Sequence, residues 1–528
     1  LFTAEVLARV RAADEGEMSR HLSRDLDRRH RLVRAQSIQR IDGQLLSSYR
    51  FRHILFQKYL YGSLDEVERV RVHEQVGTAL EALYGAPEQV AAIAVQLALH
   101  FQKARISERA IHYLHRAGQR AVQLSAHQEA VAHLTRALEL LLAVPEPGSA
   151  DRHLERVQQE LVLQLDLGVA WMGTSAPAPQ MEEAFSRARE LCLQMDKTSR
   201  LSQVLGGLAI FYYVRAEHQR AREFAKEALC LAEQARDPLL VALGHWYLGF
   251  ILFSRGELLP AKDHLEQVIT FYKPEEHHHA FVALRGTDPG PSAMAYAACC
   301  LWCLGYPEQA LHRSQEALAL SRGLRHAFSL ADTLCYGGCL LNSLRRDATA
   351  LQEDAEALIY LALKGVLSGW LGNAICFQGE ALVMLGQVEE GVARIQEGIT
   401  THESAGVRLN LPARLSILAK ALAAAGQPDI GLTLVAEALA LVEETEERYW
   451  EAELLRQRAE LLLAQGDAAE AEACLHKAIG VARRQQAKSW ELRATTSLAR
   501  LWHEQGRPTE AHALLAKIYG WFTEGFDT

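Results

Sequence analysis

Four glycines in the C-terminal half of the chain, Gly386, Gly426, Gly466 and Gly506, recur every 40 residues. Each is followed five residues later by a small residue: Gly391, Gly431, Ala471 and Ala511. Counting backwards, the same slot falls on Arg345, Gly305, Gly256 and Ala216, each with an alanine five residues on (Ala350, Ala310, Ala261, Ala221). A fixed period of this size restricts the fold more than any other feature. It demands one supersecondary unit stacked repeatedly, with each copy burying the face of the last.

Other slots move with the beat. Seven residues before each turn position lies a small residue: Ala209, Gly249, Ala298, Gly338, Gly379, Ala419, Ala459 and Ala499. Four before it lies a large apolar one, from Tyr212 and Leu252 through Leu462 to Trp502. Twelve after it most units place another small residue, such as Ala228, Ala317, Ala357, Gly398, Ala438 and Ala478. Small side chains let two helices of a hairpin approach closely, and the large one fills the space beside them. Glycine at the turn ends the first helix in a left-handed cap at little steric cost.

This pattern resembles the tetratricopeptide repeat, which places a small residue at its eighth position, a large one at its eleventh and alanine at its twentieth and twenty-seventh. The resemblance covers roughly residues 88–520. It departs from the family in period, which is usually about 34 residues, and in mostly lacking the closing proline. The fold it implies is all-α, a right-handed superhelical solenoid of helical hairpins. Between Gly256 and Gly305 the spacing is 49 residues. The excess lies between Lys273 and Pro291, rich in Pro and Gly, and reads as a surface loop inserted between repeats.

Residues 1–62 read differently. Phe2, Val6, Leu7 and Val10 share one helical face, and a second helix is expected around Met18–Asp27. Two short extended segments, Leu32–Gln36 and Ser48–His53, flank Ile41-Asp42-Gly43-Gln44, and Asp-Gly between such runs signals a hairpin. The order suggests most of a winged helix. Arg20, Arg24, Arg28, Arg29, Arg31, Arg34 and Arg40 make this segment basic, but Glu15, Glu17, Asp25 and Asp27 interleave. DNA or phosphate contact and a solvated, partner-facing surface both remain open.

The run Tyr49-Arg50-Phe51-Arg52-His53-Ile54-Leu55, with Tyr59, Tyr61, Arg69 and His73, resembles the end of the winged-helix arm of the STAND class of signal-transduction ATPases. Close relatives within that class are fused to class III nucleotidyl cyclases or to bacterial transcription regulators. The resemblance implies that His53 corresponds to the histidine sensing the nucleotide phosphates; packing of the wing is the other reading. It also implies an upstream ATPase domain, in which ATP or ADP would be bound. The chain itself holds no Gly-x-x-x-x-Gly-Lys-Ser/Thr loop to cradle phosphates, so no cofactor and no catalysis are expected of it. Linking helices and first repeat units are expected over 63–145, after which Pro145–Ser149 is a loop. The array is expected over 146–528, with an irregular unit around Thr174–Pro179.

A net charge of -9, from 56 basic and 65 acidic residues, disfavours wholesale nucleic-acid binding. No uninterrupted apolar run reaches the roughly 18 residues of a membrane span, and no secretory leader is visible at the start. The nine cysteines fall mostly in apolar helical segments, which suggests reduced thiols and a cytoplasmic setting. Cys299 and Cys339, and likewise Cys335 and Cys376, occupy equivalent slots in successive units, so packing explains them without a metal. His277–His279 sit in the inserted segment and are expected to be solvated; adjacent residues cannot all aim at one ion. Beginning at Leu1 without methionine, and ending without a cap after Tyr519, the chain reads as a piece of a longer protein.

First helices of such repeats line the concave surface. The slots two, three, six and ten before the turn hold Tyr213, Trp246, Phe250, Phe253 and Trp302 in early units. Later units hold Glu380, Lys420, Arg456, Glu460, Arg500 and Glu504 there. An inner groove that is aromatic in the middle and charged toward its C-terminal end is expected, suited to a protein, peptide or small inducer. The reading is a non-catalytic regulatory sensor module of a larger signalling ATPase. Its rival is a fragment of a nucleotidyl cyclase or ATP-binding transcription regulator whose active domain lies outside the chain.

Overall fold

Backbone geometry keeps the time of the sequence. In the computed structural model, left-handed residues stand at Ala216 (φ 60°), Gly256, Gly305 (φ 98°), Gly386, Gly426, Gly466 and Gly506. After each, an N–H reaches back over the turn: Glu257 to the Leu252 carbonyl at 2.9 Å, Gln387 to Leu382 at 2.9 Å and Asp467 to Leu462 at 3.0 Å. This repeated C-cap satisfies carbonyls that the helix end would otherwise leave unpaired. One slot moves. The left-handed residue expected at Arg345 is Arg346 (φ 60°), one residue late. The helix leading to it contains a π-helical stretch, Leu334–Leu340, whose wider turn takes up an extra residue and keeps the hairpin in phase.

The structure describes residues 2–41, 44–85, 87–145, 149–174, 178–195, 198–365 and 368–526. Asp42-Gly43, residues 146–148 of the Pro145–Ser149 loop and residues 175–177 of the Thr174–Pro179 segment lie outside the described residues. The chain divides into two units, one of residues 1–121 and 129–163, the other of residues 122–128 and 164–528.

The second unit holds the array. Its described residues form hairpins such as Thr198–Val214 with His218–Ala235, Pro238–Ser254 with Leu258–Phe271, and Ser368–Met384 with Val388–Ser404. The last is Lys488–Glu504 with Pro508–Tyr519. Close approach is literal at the small slots: a methyl on Gly379 would meet the Gly391 carbonyl at 2.7 Å. A second beat, unread in the sequence, falls between units. Gly406, Glu446 and Gln486 are also left-handed, each 40 residues after the last.

The segment expected as a loop at 273–291 is instead an additional helix, Pro274–Arg285. Proline opens it at its first turn and Gly286 (φ 70°) closes it; the two residues punctuate a helix rather than replace one. Its histidines are not solvated as a group. The His277 ring stacks on Phe271 at 4.4 Å, and His278 Nδ1 lies 2.7 Å from the buried Asp288 carboxylate. Only His279 is exposed.

The array winds tightly enough to touch itself. The N–H groups of Arg408 and Leu409 donate to the Val214 carbonyl (3.2 Å each), and those of Arg448 and Tyr449 to Ser254 (2.8 and 3.1 Å). Ser489 donates from Oγ to the Trp302 carbonyl. In each case the turn entering a late unit caps the first helix of a unit five earlier. Aromatic pairs reinforce this seam: Phe253 with Tyr449 at 4.9 Å and Trp302 with Trp490 at 5.1 Å.

In the other unit, strands β1 (Phe2–Thr3), β2 (Val33–Ile41) and β3 (Gln44–Phe51) form an antiparallel sheet in the order β1-β3-β2. Between β1 and β2 run helix α1 (Ala4–Arg11), then α2 (Glu15–Arg20) continuing into a π-helical stretch His21–Arg29. Ala4, Leu22, Val33 and Tyr49 form the core, and the buried Glu5 carboxylate accepts the Ser47 N–H at 2.9 and 3.0 Å. The seven arginines from Arg20 to Arg40 named above are exposed. Downstream, Glu66–Tyr84 opens with a capping box between Asp65 and Glu68. Two helices follow it, Pro87–Ala92 and Ala94–Lys103.

A candidate ligand cavity inside the array

The first helices of the second unit are apolar nearly all round. Pro238–Ser254 buries thirteen of its residues, which only a helix enclosed on every side does. The enclosure follows from the winding, so the inner face is an interior and not an open groove. Tyr213, Trp246, Phe250, Phe253 and Trp302 are each buried to within 6% of full burial. Phe253 and Trp302 are consumed in the seam. Tyr213, Trp246 and Phe250 line a cavity of about 150 Å³.

Its walls come from distant parts of the sequence. Tyr213 and Phe250 touch at 4.5 Å. The Tyr213 hydroxyl lies 3.1 Å from Ser254 Oγ and 3.3 Å from the Tyr296 hydroxyl, and the Tyr296 and Tyr336 rings stack at 4.2 Å. Burial holds all three phenols above their usual range. Trp246 donates from Nε1 to Ser292 Oγ at 3.0 Å. Val214, Val407 and Leu409 complete the wall beside the seam. Met172, Phe328 and Trp370 are half-buried lining residues.

Three charged residues also line it. Arg285, the last residue of the inserted helix, is buried; its Nη1 points at the Met172 sulfur at 2.8 Å and its Nε has no partner. Arg414 is buried, donating from Nη2 to Asn373 Oδ1 (2.9 Å) and the Leu409 carbonyl (2.6 Å), while Nε and Nη1 have no partner. Burial lowers the affinity of both guanidinium groups for their proton. Asp332 is buried with Oδ2 unpartnered. Burial pushes its carboxyl up to about 6, partly opposed by a hydrogen bond from Ser292.

Part of the charged end of the expected groove is likewise interior. Glu380 is buried and its Oε2 accepts from Ser343 Oγ at 2.7 Å; burial raises its pKa. Burial lowers that of Lys420, which is half-buried. Arg456 is buried against Glu453, donating from Nε and Nη2 at 2.8 and 2.7 Å. Burial would raise the Glu453 carboxyl, but Arg456 outweighs it and holds it at about 2. Glu460, Arg500 and Glu504 are exposed. His53, in the other unit, is exposed and caps the helix Ile54–Ser63, its Nδ1 accepting the Leu55 N–H at 3.2 Å.

Sequence reasoning placed the aromatics on the inner face but missed Arg285, Asp332 and Arg414. The signal was there: each interrupts an apolar or small-residue run, as Arg414 does in Leu411–Ala424. The cysteines at 299, 300, 303, 335, 339 and 376 are free and buried. Burial pushes the Cys303 and Cys376 thiols up to about 12, and Cys299 donates to the Tyr336 carbonyl at 3.3 Å. Among the described residues no helix is long and apolar enough to cross a membrane.

The fold defines a tetratricopeptide-like solenoid. No family model matches the chain. It is 25% identical over 381 residues to an uncharacterized protein of Rhizobium meliloti (strain 1021), a match covering 71% of this chain and 36% of that protein. The chain thus spans about a third of the length of this relative. Among solved structures it is similar to the APC/C hetero-tetramer Cut9-Hcn1, with a TM-score of 0.50, 12% identity, and coverage of 88% of this chain and 83% of that one. It is also similar to a Rap protein complexed with competence and sporulation factor (TM-score 0.47, 14% identity, 78% and 99% coverage).

Proposed function

We propose that this chain is the non-catalytic sensor segment of a larger signalling protein of the STAND type, and that its array responds to a small inducer held in the interior cavity. One observation carries the reading: the cavity wall includes both sides of the seam. Val214 and Leu409 line the cavity, and the Leu409 N–H donates to the Val214 carbonyl. An occupant touching both sides stabilises the wound state over an unwound one, and that differential affinity is what a sensor requires. An open groove for an extended peptide has less support, because the aromatics meant to anchor it are enclosed.

In this proposal residues 1–62 are a winged-helix-like arm joining an upstream ATPase to the array, with His53 reading the state of a nucleotide bound by that ATPase. The setting is cytoplasmic. A second reading, favoured by the exposed arginines between Arg20 and Arg40, is a segment of a transcription regulator or nucleotidyl cyclase whose active domain lies elsewhere.

Hydrogen exchange tests the sensor reading. A small molecule that binds the chain should slow exchange at the Arg408 and Leu409 amides. A ligand bound in the cavity without change at those amides would refute the coupling. Steeply salt-dependent DNA binding would instead favour the regulator.

A further inference from the structure

Burying an arginine without a carboxylate is costly, because its N–H groups lose water and gain nothing. Two such arginines, Arg285 and Arg414, line one small cavity. Glu447 acts on Arg414 electrostatically but does not line the cavity; its Oε2 accepts the Asn410 N–H (3.0 Å) and lies 3.5 Å from His218 Nε2, while its Oε1 has no partner. Among the described lining residues Asp332 is the one carboxylate; burial raises it to about 6, and even when ionised it offsets one of the two guanidinium groups. The cavity is therefore positive. Around the charges stand aromatic faces, Trp246 and Phe250 at 5.2 Å from each other and Tyr336 beside Trp370 at 6.2 Å, which accept a flat ring.

We infer that the cavity takes a small aromatic carboxylate, its ring among Trp246, Phe250, Tyr336 and Trp370 and its carboxylate on one unpartnered N–H of Arg414, with Arg285 adding to the positive field. This rests on the interior-ligand reading above and names the ligand's chemistry. Size sets the class: about 150 Å³ holds roughly one benzene-sized body, so a ring with a short acidic arm fits and a peptide does not. Arg414 is suited to the recognition because its Nε and Nη1 are buried without partners, and a carboxylate supplies the charge-assisted hydrogen bond that the guanidinium lacks. The inserted helix gains a purpose, since it delivers Arg285 to the cavity.

Binding to the purified chain is measured by calorimetry and by the fluorescence of Trp246 and Trp370, with phenylacetate, 2-phenylethanol and phenyl phosphate as probes. Phenylacetate should bind at least about tenfold more tightly than 2-phenylethanol, the usual scale for a hydrogen bond to a charged group. Arg414→Met should remove most of that preference while leaving 2-phenylethanol binding in place, which also shows that the variant cavity is folded. If Arg414→Met fails to fold, Arg285→Met and the wild-type comparison of acid with alcohol still decide. Equal binding of acid and alcohol, a preference that survives in Arg414→Met, or tighter binding of phenyl phosphate would overturn the carboxylate assignment while keeping an interior ligand. Failure of every probe to bind would overturn both.

Discussion

Replacing Trp490 by alanine is the sharpest probe of the winding. Trp490 is fully buried and meets Trp302 at 5.1 Å and Trp450 at 5.2 Å, both edge to face, with the Arg493 guanidinium 5.1 Å from its ring. Truncating a buried tryptophan costs about 3–5 kcal/mol. The Trp450 contact is with the preceding unit and would exist in any solenoid. The Trp302 contact exists only because the array returns on itself, and an edge-to-face pair adds about 0.5–1.5 kcal/mol beyond its buried area. A double-mutant cycle of Trp302→Ala and Trp490→Ala, followed by urea unfolding, should give a coupling in that range. Hydrogen exchange should show the Tyr306 amide, which caps the helix Pro289–Leu304, loosening in Trp490→Ala. In a solenoid with nearest-neighbour contacts alone, units so far apart would not communicate. Additivity within about 0.3 kcal/mol, with unchanged exchange at Tyr306, would refute the seam.

Three other outcomes follow from buried charges and close helices. Glu453→Gln should destabilise the fold by about 3 kcal/mol, the low end for a broken buried pair because Glu460 still reaches Arg456. Because the folded carboxyl of Glu453 sits at about 2, below its unfolded value, its contribution is present at neutral pH. It is lost as pH falls toward 2, so wild type and variant should converge in acid melts. Asp332→Asn should act the other way. Its folded carboxyl is raised to about 6, so ionisation opposes folding as pH rises, and the variant should gain up to about 3 kcal/mol at pH 8 but little at pH 4. Gly379→Ala, whose methyl would press on the Gly391 carbonyl and the Ile395 amide, should lower stability by about 1–3 kcal/mol in the same assay; a neutral result would contradict the close helix contact.

The periodic glycines, the small slots and the large apolar slots carried the hairpins, because capping and close helix approach are local demands that any such unit repeats. Those signals also placed Tyr213, Trp246 and Phe250 on the inner face. Proline and glycine around the insertion misled, since the same residues that mark a loop also mark the ends of a helix, and Phe281, buried in that helix, was the better guide. Arg346 was missed by one residue because a π-helical turn leaves no mark in a fixed count.

What the sequence by itself determined is therefore the unit and its phase: hairpins of fixed length, joined by left-handed turns, with one face apolar. What only the tertiary structure decided is the space those units enclose. Winding depends on small rotations between neighbours, summed over five units, and no single slot encodes that sum. Val214 meets Leu409, Trp302 meets Trp490, and Arg285 and Arg414 come to one cavity because the rotations add up to a closed turn. An open groove and a closed chamber can share the same repeat pattern; the accumulated angle separates them.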